Sequence, residues 1–123
     1  MTDNLLASWN HFHDWSLDSV AIGPNVEPRT LTLGLYLGDR RVMATFAGVT
    51  CVSIERFGLL NIVYGIHVVQ PTDTKYARVN AVLERGERLT HRRAAQLVFV
   101  YSTLGAEFAI ECDSLAVREV GFT

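Results

Sequence analysis

Residues 30–37 read Thr-Leu-Thr-Leu-Gly-Leu-Tyr-Leu, with leucine at every second position. Successive side chains of a strand point to opposite faces, so this stretch is written for a sheet with one buried and one solvated face. Gly38-Asp39-Arg40 follows as a short turn, and the strand from Arg41 is expected to return antiparallel to the first.

Most of the remaining chain extends that sheet. Residues 42–46 and 49–57 make one bent strand or two short ones, broken at Gly48, and Gly58 marks the next turn. In residues 61–69, Ile62, Tyr64, Ile66 and Val68 fall on one face, and Val63, His67 and Val69 on the other. Both faces are largely apolar, which is the pattern of a central strand covered on two sides. Residues 97–101 have the same character. Near the C-terminus, Phe108, Ile110 and Cys112 share a core face, a turn is expected at Asp113-Ser114, and Leu115, Val117 and Val120 continue the pattern. Near the N-terminus, residues 4–10 suit one helical turn with Leu5, Leu6 and Trp9 inward. The first strand then buries Trp15, Leu17 and, after a change of phase, Ile22. Residues 74–85 place Tyr76, Val79, Val82 and Leu83 at helical spacing, with Gly86 at the position that ends a helix; an edge strand over 75–82 is the alternative. The expected fold is mainly β (α+β): a single antiparallel sheet, sandwich or partly closed barrel with one short helix, forming one domain across residues 1–123.

One short helix cannot cover a sheet of five or six strands, because it is only about 18 Å long while strands sit about 4.8 Å apart. Some of Val63, Val69, Val98 and Val100 would then stay exposed, and a homodimer is the expected remedy unless the sheet closes on itself. With residues 42–54 as one continuous strand, Cys51 and Cys112 fall on opposite faces, an arrangement that a bulge at Gly48 would reverse; both are expected as free thiols. The formal net charge of −2 argues against general attraction to nucleic acid or anionic membrane. No apolar run is long enough to span a bilayer, and the start Met1-Thr2-Asp3-Asn4 lacks signal-peptide features, so a cytoplasmic protein is expected.

Chemistry concentrates in one place. His11, Phe12, His13, Asp14 and Trp15 are consecutive, with Trp9 just ahead. On a strand His11 and His13 would share a side, and Asp14 could orient one of them. These five residues, His11, His13, Asp14, Trp9 and Trp15, are the candidate ligand-binding set. No metal or other cofactor is expected, since a third ligand from His67 or His91 is not tied to the pair by any spacing. The bland reading is that His13 and Asp14 hold the chain where it enters the first strand. No catalytic residue is assigned: there is no Gly-x-Ser-x-Gly elbow, reactive-cysteine motif or phosphate loop. Lys75 and Arg78, Arg85, Arg88, Arg92 and Arg93 crowd into nineteen positions, interrupted by Glu84 and Glu87. The five arginines are the candidate partner-binding set, read first as a solvated face, then as a surface for an acidic protein, and only third for nucleic acid.

With these residues in view, the chain resembles small bacterial proteins that carry a Phe-His-Asp motif near the N-terminus, among them the Imm50-like predicted immunity proteins of toxin systems. The resemblance is carried by Phe12-His13-Asp14 with Leu17, Val20 and Ile22. It continues through Phe46-Ala47-Gly48-Val49, Phe57 with Asn61-Ile62-Val63, and residues 108–113 with Leu115. It implies a β-rich fold that binds a protein and does not catalyse. The expected function is therefore a small non-enzymatic protein-binding domain of immunity type. The alternative is a small-ligand-binding or metal-dependent enzyme using the His11/His13/Asp14 corner.

Overall fold

The computed structural model describes residues 1–121. Helix α1 (Thr2–Ser8) leads through a tight turn into eight strands: β1 (Ser16–Ile22), β2 (Thr30–Leu37), β3 (Arg40–Ala47), β4 (Cys51–Glu55), β5 (Ile62–Val69), β6 (Gln96–Leu104), β7 (Glu107–Cys112) and β8 (Ser114–Val120). Helix α2 (Tyr76–Leu83) lies between β5 and β6. The strands form one antiparallel sheet in the order β4-β7-β6-β5-β1-β2-β3-β8, which is not closed.

The mainly β reading of the sequence is therefore correct, and so is the antiparallel return of β3 on β2, from Thr30↔Ala47 to Leu37↔Arg40. Leu31, Leu33 and Leu35 are buried as their spacing requires, whereas Leu37, at the end of its strand, is exposed. Residues 74–85 are helical at their centre, with Val79, Val82 and Leu83 inward. Gly86 serves α2 differently from expectation. A Cβ there would run into the carbonyl oxygen of Val52 and lie 3.0 Å from Cys51 Sγ, so the glycine admits a close approach to β4.

The bend at Gly48 is what shapes the molecule. β3 pairs with β8 as far as Ala47↔Ser114, and β4 takes up pairing with β7 at Cys51↔Glu111. β3–β4 and β7–β8 thus run as one long two-stranded ribbon, bent where residues 48–50 oppose Cys112 and Asp113. No reversal occurs at Asp113-Ser114, contrary to the sequence expectation, because the chain there is bonded to the ribbon: Asp113 N–H donates to Ala47 O at 2.9 Å. Bending the ribbon folds the sheet over. The face of β1-β2-β3-β8 then packs on the face of β4-β7-β6-β5, and Leu33, Phe46, Ile66, Val98 and Phe108 meet in one core.

A second, smaller core lies outside, where α2 covers Cys51, Val69, Leu97, Phe99 and Ala109. Cys51 belongs to this outer core and Cys112 to the inner one, and both are free thiols as expected. The exposed patch that motivated a homodimer is absent: Val63, Val69, Val98 and Val100 are all buried within one chain. Folding the sheet provides the cover that one helix cannot.

Irregular register corrects two further expectations. β1 shifts between Leu17 and Ser19, so Val20 follows Leu17 toward the core while Ile22, at the strand end, stays exposed. β5 shifts on both sides of Val63, so Val63 and Ile66 share the inner core although they are three apart. β1 is interior to the sheet, and the carboxylate of Asp18 pairs with Arg41.

Candidate functional site

The segment joining α1 to β1 is the most unusual backbone in the molecule. Asn10, His11 and Phe12 have φ of +51°, +53° and +58°, and Asp14 has +68°. Three successive left-handed residues without a glycine cost roughly 1–2 kcal/mol each, and they persist only where the surroundings over-determine them. Backbone bonds close the turn, Phe12 N–H to Trp9 O and His13 N–H to Asn10 O, both 3.0 Å. Phe12 is fully buried, stacked on Trp9 with centroids 5.4 Å apart and edge-on to Trp15 at 5.4 Å. Burial of this aromatic group offsets the backbone strain.

The two histidines extend the sheet where strand pairing stops. β1 meets β5 in register only at Ser16↔Ile62. Beyond that, Asp14 N–H donates to Val63 O at 2.9 Å, His13 Nδ1 donates to Tyr64 O at 2.8 Å, and His11 Nδ1 donates to Ile66 O at 3.1 Å. A carbonyl only accepts, so each ring carries its proton on Nδ1 in this arrangement. The imidazoles stand in for strand N–H groups along β5. His13→Ala is expected to lower stability by about 1 kcal/mol, the modest end for a bond at the surface. Urea unfolding checks this, and an unchanged midpoint would mean that water replaces the ring at no cost.

Tied to separate carbonyls, the five residues of the candidate ligand set do not form one centre. His13 lies edge-on to Tyr64 and, with Trp9, Asn10, Trp15, Leu37 and Arg40, lines an open hollow of about 550 Å³. Arg40 occupies the aromatic part of it, 5.3 Å from the Trp9 ring and 5.4 Å from Trp15, held by two hydrogen bonds to Glu119. Asp14 is exposed, its carboxylate 3.6 Å from His13 Nε2. His11 turns the other way and stacks on His67 at 4.2 Å. Among the described residues, no three of His, Cys, Asp and Glu come together around a point where a metal could sit. Both thiols are held protonated by burial, Cys112 being pushed up to about 12, so neither has the character of an activated nucleophile.

The arginine set is matched from within. Arg78 faces Glu107 at 3.6 Å, Arg85 pairs with Glu55, Arg92 with Asp113 at 3.2 Å and Arg93 with Glu84 at 3.7 Å. Arg88 makes a two-pronged pair with the buried Glu111, at 2.7 and 3.1 Å. The density of positive charge in the sequence is thus offset by carboxylates that the fold brings from β4, β7 and residue 84.

A surface that pattern reading passed over lies at one end of the sheet. Phe57, Leu59 and Leu60, in the loop from β4 to β5, are exposed together with Ile54 and Leu104, and Leu59 is fully so. The loop is nonetheless firmly held. Buried Asn61 accepts from Gly58 N–H at 2.9 Å and from Ala106 N–H at 3.0 Å, and its amide donates back to Gly58 O at 3.0 Å. Phe57 lies edge-on to Phe108 of the core at 6.5 Å. The signal in the sequence is Phe57-Gly58-Leu59-Leu60, an apolar run at a turn, where polar residues are the rule.

No family model, curated protein or solved structure matches this chain.

Proposed function

We propose that this chain is a non-enzymatic protein-binding domain that docks through the Phe57–Leu60 loop. We propose further that it is an immunity-type protein of a bacterial toxin system, the role implied by the resemblance at Phe12-His13-Asp14. The observation that carries the binding reading is a fully exposed Leu59 on a loop anchored by Asn61. Large apolar side chains presented to water on an anchored backbone are suited to an interface, since burying them is favourable and little backbone freedom remains to be lost. Phe57, Leu60 and Leu104 add further exposed apolar surface at this end of the sheet. The competing enzyme reading has no comparable support, because His11 and His13 are each committed to a backbone carbonyl of β5 and diverge from one another.

Calorimetric titration with a toxin domain encoded beside this chain tests both parts. Binding is expected, and Leu59→Asp is expected to weaken it by about 2–4 kcal/mol, the range of an interface anchor, with an unchanged circular dichroism spectrum. Equal affinity in the variant would remove the loop from the interface. A neighbouring toxin domain that does not bind at all would remove the immunity role.

A further inference from the structure

His67 is the one histidine of the β5 region that no backbone group claims. Its ring folds back over Gly65, where a Cβ would stand 2.6 Å from Nε2, and the His11 ring lies against it at 4.2 Å with the planes 17° apart. Glycine at 65 thus leaves the room in which this imidazole is clamped, and His11 is itself fixed by Ile66 O. The ring forms one wall of a hollow of about 280 Å³ between β5, β6 and the turn leading into α2, shared with Tyr64, Asp73, Lys75 and Tyr101. Tyr101 stands 5.9 Å from His67, and Lys75 Nζ rests 4.9 Å above the Tyr101 ring.

The polar heads here differ from those elsewhere in the molecule. Eight of the eleven lysine and arginine side chains lie within ion-pair distance of the chain's own carboxylates. Lys75 is not among them. Neither ring nitrogen of His67 and not the Tyr101 hydroxyl makes a hydrogen bond among the described residues, and none of these atoms is sealed from solvent. Asp73, the acid at the rim, accepts from Gln70 N–H at 2.8 Å and so closes its own turn. The hollow is thus lined by an ammonium, an imidazole and a phenol that have no hydrogen-bond or ion-pair partner among the described residues. Three groups able to donate, lining one concave site, suit an anion with several acceptor oxygens.

We propose that this hollow binds an oxyanion, the phosphate or carboxylate group of a small ligand, with Lys75 supplying the charge and His67 and Tyr101 the directed hydrogen bonds. Lys75, resting on the face of Tyr101, would lift from the ring to reach the anion. Burial lowers the His67 pKa, with His11 and Lys75 acting in the same direction and Asp3 opposing them, so the free site holds a neutral imidazole at neutral pH. A bound anion adds negative charge beside the ring and raises that pKa.

The test is an NMR titration of the intact chain with inorganic phosphate and, separately, with acetate, at low ionic strength and against chloride at matched concentration. The expected result is a saturable shift of the His67 and Tyr101 ring signals, with a dissociation constant on the order of 1 mM and a rise in the His67 pKa. Lys75→Ala is expected to weaken binding at least about tenfold, the loss of one charged hydrogen-bond partner. Arg118→Ala, which removes a cation on β8 away from the hollow, is expected to leave it unchanged. Saturation by phosphate alone assigns a phosphate-bearing ligand, and saturation by acetate as well assigns a carboxylate-tolerant site. Shifts that chloride reproduces, that fail to saturate for either oxyanion, or that persist undiminished in a folded Lys75→Ala variant would overturn the proposal.

Discussion

Glu111→Ala is expected to lower the stability of the fold by about 3–5 kcal/mol, because it strips the mostly buried Arg88 guanidinium of its two-pronged partner and leaves only the longer contact to Glu84. Glu111 is 7% exposed and accepts from both terminal nitrogens of Arg88, from the Thr50 hydroxyl and from Ala94 N–H at 3.3 Å. Arg88 Nε has no partner among the described residues, and the only other carboxylate near the guanidinium is the more exposed Glu84, at 3.7 Å. Burial pushes the Glu111 carboxyl up, but the hydrogen bonds from Arg88, Thr50 and Ala94 outweigh it and bring the pKa from 4.5 to about 2. A carboxyl depressed in the folded state contributes fully above its unfolded pKa. The contribution is lost as pH falls from about 4.5 toward about 2. Urea unfolding across that window should therefore show an acid-side loss of stability that is smaller in Glu111→Gln. An equal loss in the variant would place the titrating group elsewhere. Replacing both partners, Glu111→Leu with Arg88→Met, should recover most of the deficit of the single variant; failure to do so would show that packing and not the unpaired charge was responsible.

Gly48→Ala should cost about 3 kcal/mol or more, against about 1 kcal/mol for Gly38→Ala. Both glycines are left-handed, with φ of +66° and +61°. A Cβ at Gly38 meets nothing within 4 Å, so only the backbone penalty applies. At Gly48 it would collide with the side chain of Asp113, approaching Cγ to 2.8 Å and Cβ to 2.9 Å. That carboxylate cannot simply move away: it accepts from Ala95 N–H and pairs with Arg92, which in turn donates to Gly48 O at 3.1 Å. The bend that folds the sheet would open with it. Denaturation midpoints of the two variants check the difference, and equal losses would mean that Asp113 relaxes freely and the corner is not under this constraint.

The candidate site was only partly legible in the residues. The Trp9–Trp15 stretch stands out by composition, but its pattern as a strand put His11 and His13 on one side, where the left-handed turn sends them apart to Tyr64 O and Ile66 O. Nothing local announces such a turn, since none of Asn10, His11 and Phe12 is a glycine; it exists because Phe12 must reach the core. His67 looked like one more residue on a two-faced strand, and only the stacking of His11 and the space above Gly65 give it a distinct position.

By itself the sequence determined the local alternation: leucine at 31, 33 and 35 makes β2 a one-face strand, and Tyr76, Val79, Val82 and Leu83 make α2 an amphipathic helix. Opposite facing of Cys51 and Cys112 followed from the same parity. The tertiary structure decided what covers what, because cover depends on partners distant in sequence. Val98 and Val100 are closed off by the other half of a folded sheet and not by a second chain, and Arg88 meets a carboxylate twenty-three residues away. Both outcomes turn on the bend at Gly48 and Asp113, whose direction is set by hydrogen bonds across the ribbon and not by the order of residues along either strand.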